Sequence, residues 1–330
     1  MSTPIASAAA PAAPNGRLEH MPVSMFSIVM GLAGTTIALE KAEHRWAWSV
    51  SPSSVLLAVT AAVFVLISLA HLSKFILHHE QVVAEFNNPI RLSFFPTMSI
   101  GMLLLAIAAL GHFSDISLYL WTTGATVQLL FTLAILSNWM HHEKFQVQHS
   151  NPAWFIPIVG NILVPIAGVP LGYQEISWFY FSVGLMMWTP LLAVLFNRFF
   201  FHPMIPDKLL PTLFILIAPP AVGFISWVKL HGGVVDDMAR ILYYFGLFIM
   251  LLLLAQAKYF VKVSFALPWW AYTFPVAALT IATSVMAEKV GGGFFATLFP
   301  VLLTALVLLV SVISVRTIIA VMRGQICVPE

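Results

Sequence analysis

The sequence predicts an all-α polytopic membrane protein: ten transmembrane helices, folded as five helical hairpins in a pseudo-fivefold ring. Three observations carry this expectation. The chain of 330 residues is 60% apolar and only 8% charged, with a mean hydropathy of +0.94, against about 45–50% and about 25% in soluble domains. Ten apolar runs are each long enough to cross roughly 30 Å of hydrocarbon. A motif of hairpin length also recurs. This composition excludes a soluble enzyme and a disordered chain. A formal charge of +2 is too small for a surface that tracks nucleic-acid phosphates.

Residues 1–20 are rich in Ala, Pro and Ser, with Arg17 their only Lys or Arg. A secretory signal has its basic region and apolar core before the small-residue site; here that order is reversed. The segment is expected to be a disordered tail, followed by a membrane domain over 21–325. The first span, 21–39, holds its proline at the boundary and places Ser27, Gly31 and Thr35 on one face at i, i+4, i+8. Span 2, 53–77, has no proline and ends in His78-His79-Glu80. Span 3, 92–110, carries Pro96, Thr97 and Gly101; span 4, 116–140, ends in His141-His142-Glu143. Span 5, 153–171, carries Pro157, Gly160, Asn161, Pro165 and Gly168, and span 6, 176–195, carries Pro190. Span 7, 209–228, carries Pro219, Pro220 and Gly223, while span 8, 238–257, has no proline. Span 9, 265–287, carries Thr273, Pro275, Ala277 and Thr280, and span 10, 294–315, carries Pro300.

His78 to His141 and Asn88 to Asn151 are both 63 residues apart, and each Asn is followed by Pro. The repeating unit is therefore a helical hairpin, and five such units fill the chain. The odd spans hold most of the Pro and Gly. Proline frees a carbonyl and kinks a helix. Such a carbonyl is tolerated at membrane depth where protein or a water-filled cavity satisfies it. The odd spans, kinked at Pro96, Pro157, Pro219 and Pro275, are thus expected to line a central pore.

No Asp, Glu, Lys or Arg lies in the middle of an odd span. That argues against a proton relay through a buried carboxylate and against an acidic cation path. Small neutral groups remain as candidate lining: Ser27, Gly31, Thr35, Thr97, Gly101, Asn161, Gly223, Thr273, Ala277 and Thr280. Hydroxyl and amide donors can solvate a small monovalent anion weakly enough to release it; packing through small residues is the plainer alternative. The histidine pairs raise a haem-binding redox protein as a rival, but they sit at span ends beside glutamates rather than facing each other within the bilayer. No cofactor or metal is expected, and lone Cys327 offers neither a disulfide nor a thiolate site. Ten spans put both termini on one side. That side holds Arg17, Lys74, Arg91, Lys144, Arg198, Lys208, Lys258, Lys262, Arg316 and Arg323. The other holds Lys41, Arg45, Lys229, Arg240 and Lys289. The bias predicts cytoplasmic termini.

The segment Trp269-Trp270-Ala271-Tyr272-Thr273-Phe274-Pro275, with Asn88-Pro89-Ile90-Arg91, Asn151-Pro152-Ala153-Trp154 and Ala218-Pro219-Pro220, resembles the tellurite-resistance/C4-dicarboxylate transporter family. That family includes TehA-type proteins and the slow anion channels of plant guard cells. The resemblance covers roughly 21–325. It implies ten helices about a pore lined by the odd helices, a homotrimer with one pore per protomer, and passive conduction of anions such as chloride and nitrate in an inner or plasma membrane. It also implies a pore plugged by a phenylalanine, here Phe274. Proline after that phenylalanine looks like the plant-type branch. Malate, sulfite or tellurite export on the same fold is the alternative the resemblance leaves open.

Overall fold

The computed structural model describes residues 16–328. The described residues form helices and turns with no strand. In chain order the α-helices are α1 (Phe26–Trp46), α2 (Pro52–Leu77), α3 (His79–Asn87), α4 (Thr97–Ala109), α5 (Ser114–His141) and α6 (Ile156–Gly168). They continue as α7 (Gln174–Phe201), α8 (Ala218–Leu230), α9 (Asp237–Ala255), α10 (Ala257–Phe260), α11 (Thr273–Lys289) and α12 (Gly293–Met322). Among the described residues, nine helical stretches are long and apolar enough to cross a membrane, and Pro152–Gly168 is a shorter apolar tenth.

Burial sorts these spans into two shells. The stretches ending in α1, α4, α8 and α11 are 72–89% buried, and those of α2, α5, α7, α9 and α12 only 17–39%. Every residue of α6 is buried. The outer helices turn apolar side chains outward, as lipid requires. Each inner helix packs against the outer helix that follows it. The inner helices also touch in sequence: α1 on α4, α4 on α6, α6 on α8, α8 on α11, and α11 back on α1.

Each inner helix is approached through a 3-10 segment: Val23–Met25, Arg91–Phe94, Pro152–Phe155, Asp207–Ile217 and Leu267–Tyr272. We refer to these as lead-ins. The recurring Asn-Pro belongs to them. The Asn88 carboxamide oxygen accepts the N–H groups of Ile90 and Arg91, each at 3.0 Å. That of Asn151 accepts Ala153 N–H at 2.9 Å. An Asn side chain capping donors that lack a helical acceptor explains why the pair recurs.

The lead-ins also correct the role expected of the prolines. Pro96 caps α4, Pro157 and Pro219 stand in the first turns of α6 and α8, and Pro275 follows Thr273-Phe274 at the start of α11. None of the four kinks a continuous α-helix. A first-turn N–H has no intrahelical partner, so proline there removes nothing and pre-sets φ. The prolines mark where a lead-in becomes α-helix. Prolines within α-helices are Pro165, Pro190 and Pro300, in α6, α7 and α12.

Several boundaries move. Residues 78–91, expected as a loop, contain α3, which begins at His79, just after His78, where the backbone leaves helical geometry (φ −135°, ψ 48°). The helices α7 and α12 run past Arg198 and Arg316, to Phe201 and Met322. Of the expected tail, residues 1–15 lie outside the described residues. Residues 16–20 make a turn, with Met21 N–H donating to the Leu18 carbonyl at 3.2 Å.

Candidate functional site

Four of the five lead-ins, all but Pro152–Phe155, help line one cavity of about 840 Å³. Every inner helix supplies part of its wall. Ser27 and Met30 come from α1, Thr97 and Ile100 from α4, Val159 and Leu163 from α6, Ala218 from α8, and Phe274 and Pro275 from α11. Met30, Ile100, Leu163, Ala218 and Pro275 are the lining residues furthest along their helices, so the deep end is apolar. The Phe274 ring is buried there. It lies over Gly34, where a Cβ would stand 3.5 Å from Phe274 Cδ2.

The rim is charged. Lys74, Arg91 and Lys208 line it, as do His20, Glu19 and Glu85. Lys74 is 3% exposed; its Nζ lies 2.7 Å from Glu85 Oε2 and donates to the Met21 carbonyl at 2.8 Å. The other Glu85 oxygen accepts Val23 N–H at 2.8 Å. This satisfied pair ties α2 and α3 to the lead-in of α1. Arg91, Lys208, His20 and Glu19 also stand on the rim. The chain returns here after α12, and Gln325 to Val328 also line the cavity. Burial pushes the Cys327 thiol above its ordinary pKa of 9.0, partly offset by Lys74 and Arg17.

Of the residues the sequence singled out, Ser27, Thr97, Phe274 and Pro275 line this cavity. The others are packed. A Cβ at Gly31 would overlap Thr273, and one at Gly34 would come within 2.8 Å of Ala277 Cβ, so Gly31, Thr273 and Ala277 form the α1–α11 seam. Gly101 faces Val29 and Phe64, and Gly223 faces Leu242 and Ile162. Asn161 points to α5, donating to Thr132 Oγ1 at 2.9 Å. The hydroxyls turn back on their own chain. Thr35 donates to the Gly31 carbonyl at 2.8 Å, Thr280 to Val276 at 2.8 Å, Thr273 to Trp270 at 2.7 Å and Ser27 to Ser24 at 2.6 Å. Thr97 does the same toward Phe94. Within lipid, a hydroxyl with no outside partner takes the nearest helical carbonyl. In this conformation these five donors are engaged.

The sequence reading missed the cavity's charged and apolar lining. Lys74 and Glu85 come from the outer helix α2 and from α3, which no odd-span pattern would select. Met30, Ile100 and Leu163 lie in the first two turns after a lead-in, a signal legible once the lead-ins are recognised. At the opposite ends of the inner helices, Lys41, Lys229 and Lys289 sit within electrostatic reach of one another, with Glu288 among them. The histidine pairs stay at helix ends: His79 packs on Phe75 with centroids 5.1 Å apart, and His141 Nδ1 lies 2.9 Å from the Ser137 carbonyl.

The SLAC1 family model, whose description is voltage-dependent anion channel, matches residues 20–318. The chain belongs to the SLAC1 family. That family is described as one of anion channels, not of enzymes. It is 29% identical to the S-type anion channel SLAH2 of Arabidopsis thaliana, over 83% of this chain and 54% of the relative. It is 27% identical to the guard cell S-type anion channel SLAC1 of the same plant, over 83% and 51%. The tellurite resistance protein TehA homolog of Haemophilus influenzae is 26% identical, over 88% of this chain and 90% of that protein. The chain thus spans about half the length of the plant relatives it matches.

Proposed function

We propose that this chain conducts small monovalent anions, chloride and nitrate, through a pore enclosed by α1, α4, α6, α8 and α11, with Phe274 as the gate. The observation that carries this reading is a single cavity walled by all five inner helices, with the Phe274 ring at its apolar end. The cyclic order of inner-helix contacts supports a ring about one axis. Lys208 on the rim draws anions in. An apolar constriction then sheds water, and a dry constriction stops ions. The described conformation is closed, because the seam beyond Phe274 is packed and its hydroxyls are engaged. A homotrimer, with one path per protomer, and cytoplasmic termini in a plasma or inner membrane belong to the same reading, on the resemblance to TehA-type proteins and the Lys/Arg bias.

The test is current across a bilayer for the wild type and Phe274→Ala in chloride, nitrate and gluconate. Lowering an apolar barrier by about 1.4 kcal/mol raises flux about tenfold. Phe274→Ala should raise current at least that much, with reversal potentials following chloride or nitrate. Silence from both proteins at the membrane surface would sink the gate reading.

The width of the cavity, with Lys208 in its lining, favours a second reading, a carrier for dicarboxylates such as malate. Flux that saturates and depends on a proton gradient would select it.

A further inference from the structure

A second, smaller cavity lies apart from the first, between the loop after α5 and the end of α7. Its volume is about 350 Å³, and Gln146, Val147, Gln148, Arg198, His202 and Pro203 line it. Arg198 stands in the last turn of α7 and is 4% exposed. A guanidinium carries five N–H donors. Among the described residues Arg198 spends one, on the Pro203 carbonyl, and its buried Nε has no acceptor. No carboxylate faces it among the described residues. Capping the end of α7 accounts for the Pro203 bond but not for the rest of the head group. A buried cation without a counter-charge is costly, and an anion in the cavity would remove that cost.

The remaining lining suits a phosphate group. Gln148 Nε2 donates to Gln146 Oε1 at 2.6 Å, which leaves the Gln146 amide N–H groups available at the rim. His202 adds a further donor. Phe200, Phe201 and Met204, neighbours of the lining residues in sequence, and Val147 of the lining are exposed, which suits contact with acyl chains. Basic pockets between membrane helices are a known setting for phosphate headgroups, and the planar guanidinium matches phosphate oxygens two at a time.

We propose that Arg198, with Gln146, Gln148 and His202, forms a binding site for a phosphate-bearing anion at the membrane interface, separate from the anion path. A lipid headgroup and free phosphate in solution share this chemistry, and the experiment separates the two. The purified full chain is examined by native mass spectrometry with phosphatidylglycerol or phosphatidylcholine added, and in parallel titrated with inorganic phosphate. Charged hydrogen bonds of this kind correspond to about a tenfold preference. We expect phosphatidylglycerol to be retained about tenfold over phosphatidylcholine, with the preference lost in Arg198→Gln. Gln148→Leu alters an exposed rim residue and should weaken retention without changing Tm, which keeps the test open if Arg198→Gln does not fold. Saturable binding of inorganic phosphate, lost in the same variants, with no lipid preference, would assign free phosphate as the ligand. Equal retention of both lipids with no phosphate binding, or a preference that Gln148→Leu and a folded Arg198→Gln both keep, would overturn the proposal.

Discussion

At Asp236 one carboxylate does two jobs. It caps α9 by accepting Ala239 N–H at 2.9 Å, and it accepts the Trp227 indole N–H at 2.8 Å. The Ala239 bond, then the Trp227 bond, hold its carboxyl below the ordinary 3.8. A lowered folded-state value stabilises the fold above the unfolded value, and that stability disappears as pH falls through the folded one. Asp236→Asn keeps a capping oxygen but does not titrate. Its Tm should therefore trail the wild type near neutral pH, and the gap should close below pH 3.8, as read by thermal unfolding in detergent. Lys74 and Glu85 form the residue-scale counterpart inside the wall. Removing one partner of a buried pair typically costs about 3–5 kcal/mol, while an apolar replacement of both is often near neutral. Glu85→Gln and Lys74→Met alone should each destabilise strongly, and Lys74→Met/Glu85→Leu should recover most of the loss in the same assay. A double-variant loss equal to the sum of the two single losses would mean that the pair is not coupled.

Among the elements, the lead-ins and the α1–α11 seam set the geometry of the site. Asn151→Ala removes a cap from the lead-in of α6 and should cost about 1 kcal/mol. Gly31→Ala places a methyl against Thr273 and Trp270 on α11, the helix that bears Phe274. Overpacking of this kind costs about 1–3 kcal/mol, and it should lower Tm by more than Asn151→Ala does. The spans and their hairpin pairing were legible in the sequence because apolar length and the 63-residue repeat are strong signals. The lead-ins were not, because a 3-10 segment and a first helical turn share the same apolar, Pro-containing composition. The neutral residues of the odd spans were visible, but their facing was not. Gly31, Thr273 and Ala277 fit a pore stripe and a packing seam equally well by spacing, and only the neighbouring helix decides between them. Phe274 was found through its surrounding motif rather than through any property of a lone aromatic. Lys74 and Glu85 escaped because the fold brings them to the cavity from α2 and α3.

For the whole molecule, two shells divide the labour: the outer helices meet lipid and the inner ones enclose the site. The Lys/Arg asymmetry predicts that the lead-in side faces the cytoplasm, and Cys327, the only cysteine of the chain, reports on this directly. A membrane-impermeant maleimide should label Cys327 in inside-out vesicles and not in right-side-out ones. Because burial raises the thiol's pKa, labelling should be slow near neutral pH and quicken as pH rises. Labelling from the outside would reverse the assigned orientation.

The main cavity also reshapes the electrical profile of the membrane. Once filled with electrolyte it is a conductor, and no appreciable potential falls along it. The helices α4, α6 and α8 have 13 residues each, about 20 Å of rise against roughly 30 Å of hydrocarbon. The membrane voltage, worth about 2.3 kcal/mol per charge per 100 mV, is thus concentrated in the packed stretch beyond Phe274. On the proposed path, charges on the rim would govern how conduction depends on concentration, and residues past Phe274 how it depends on voltage.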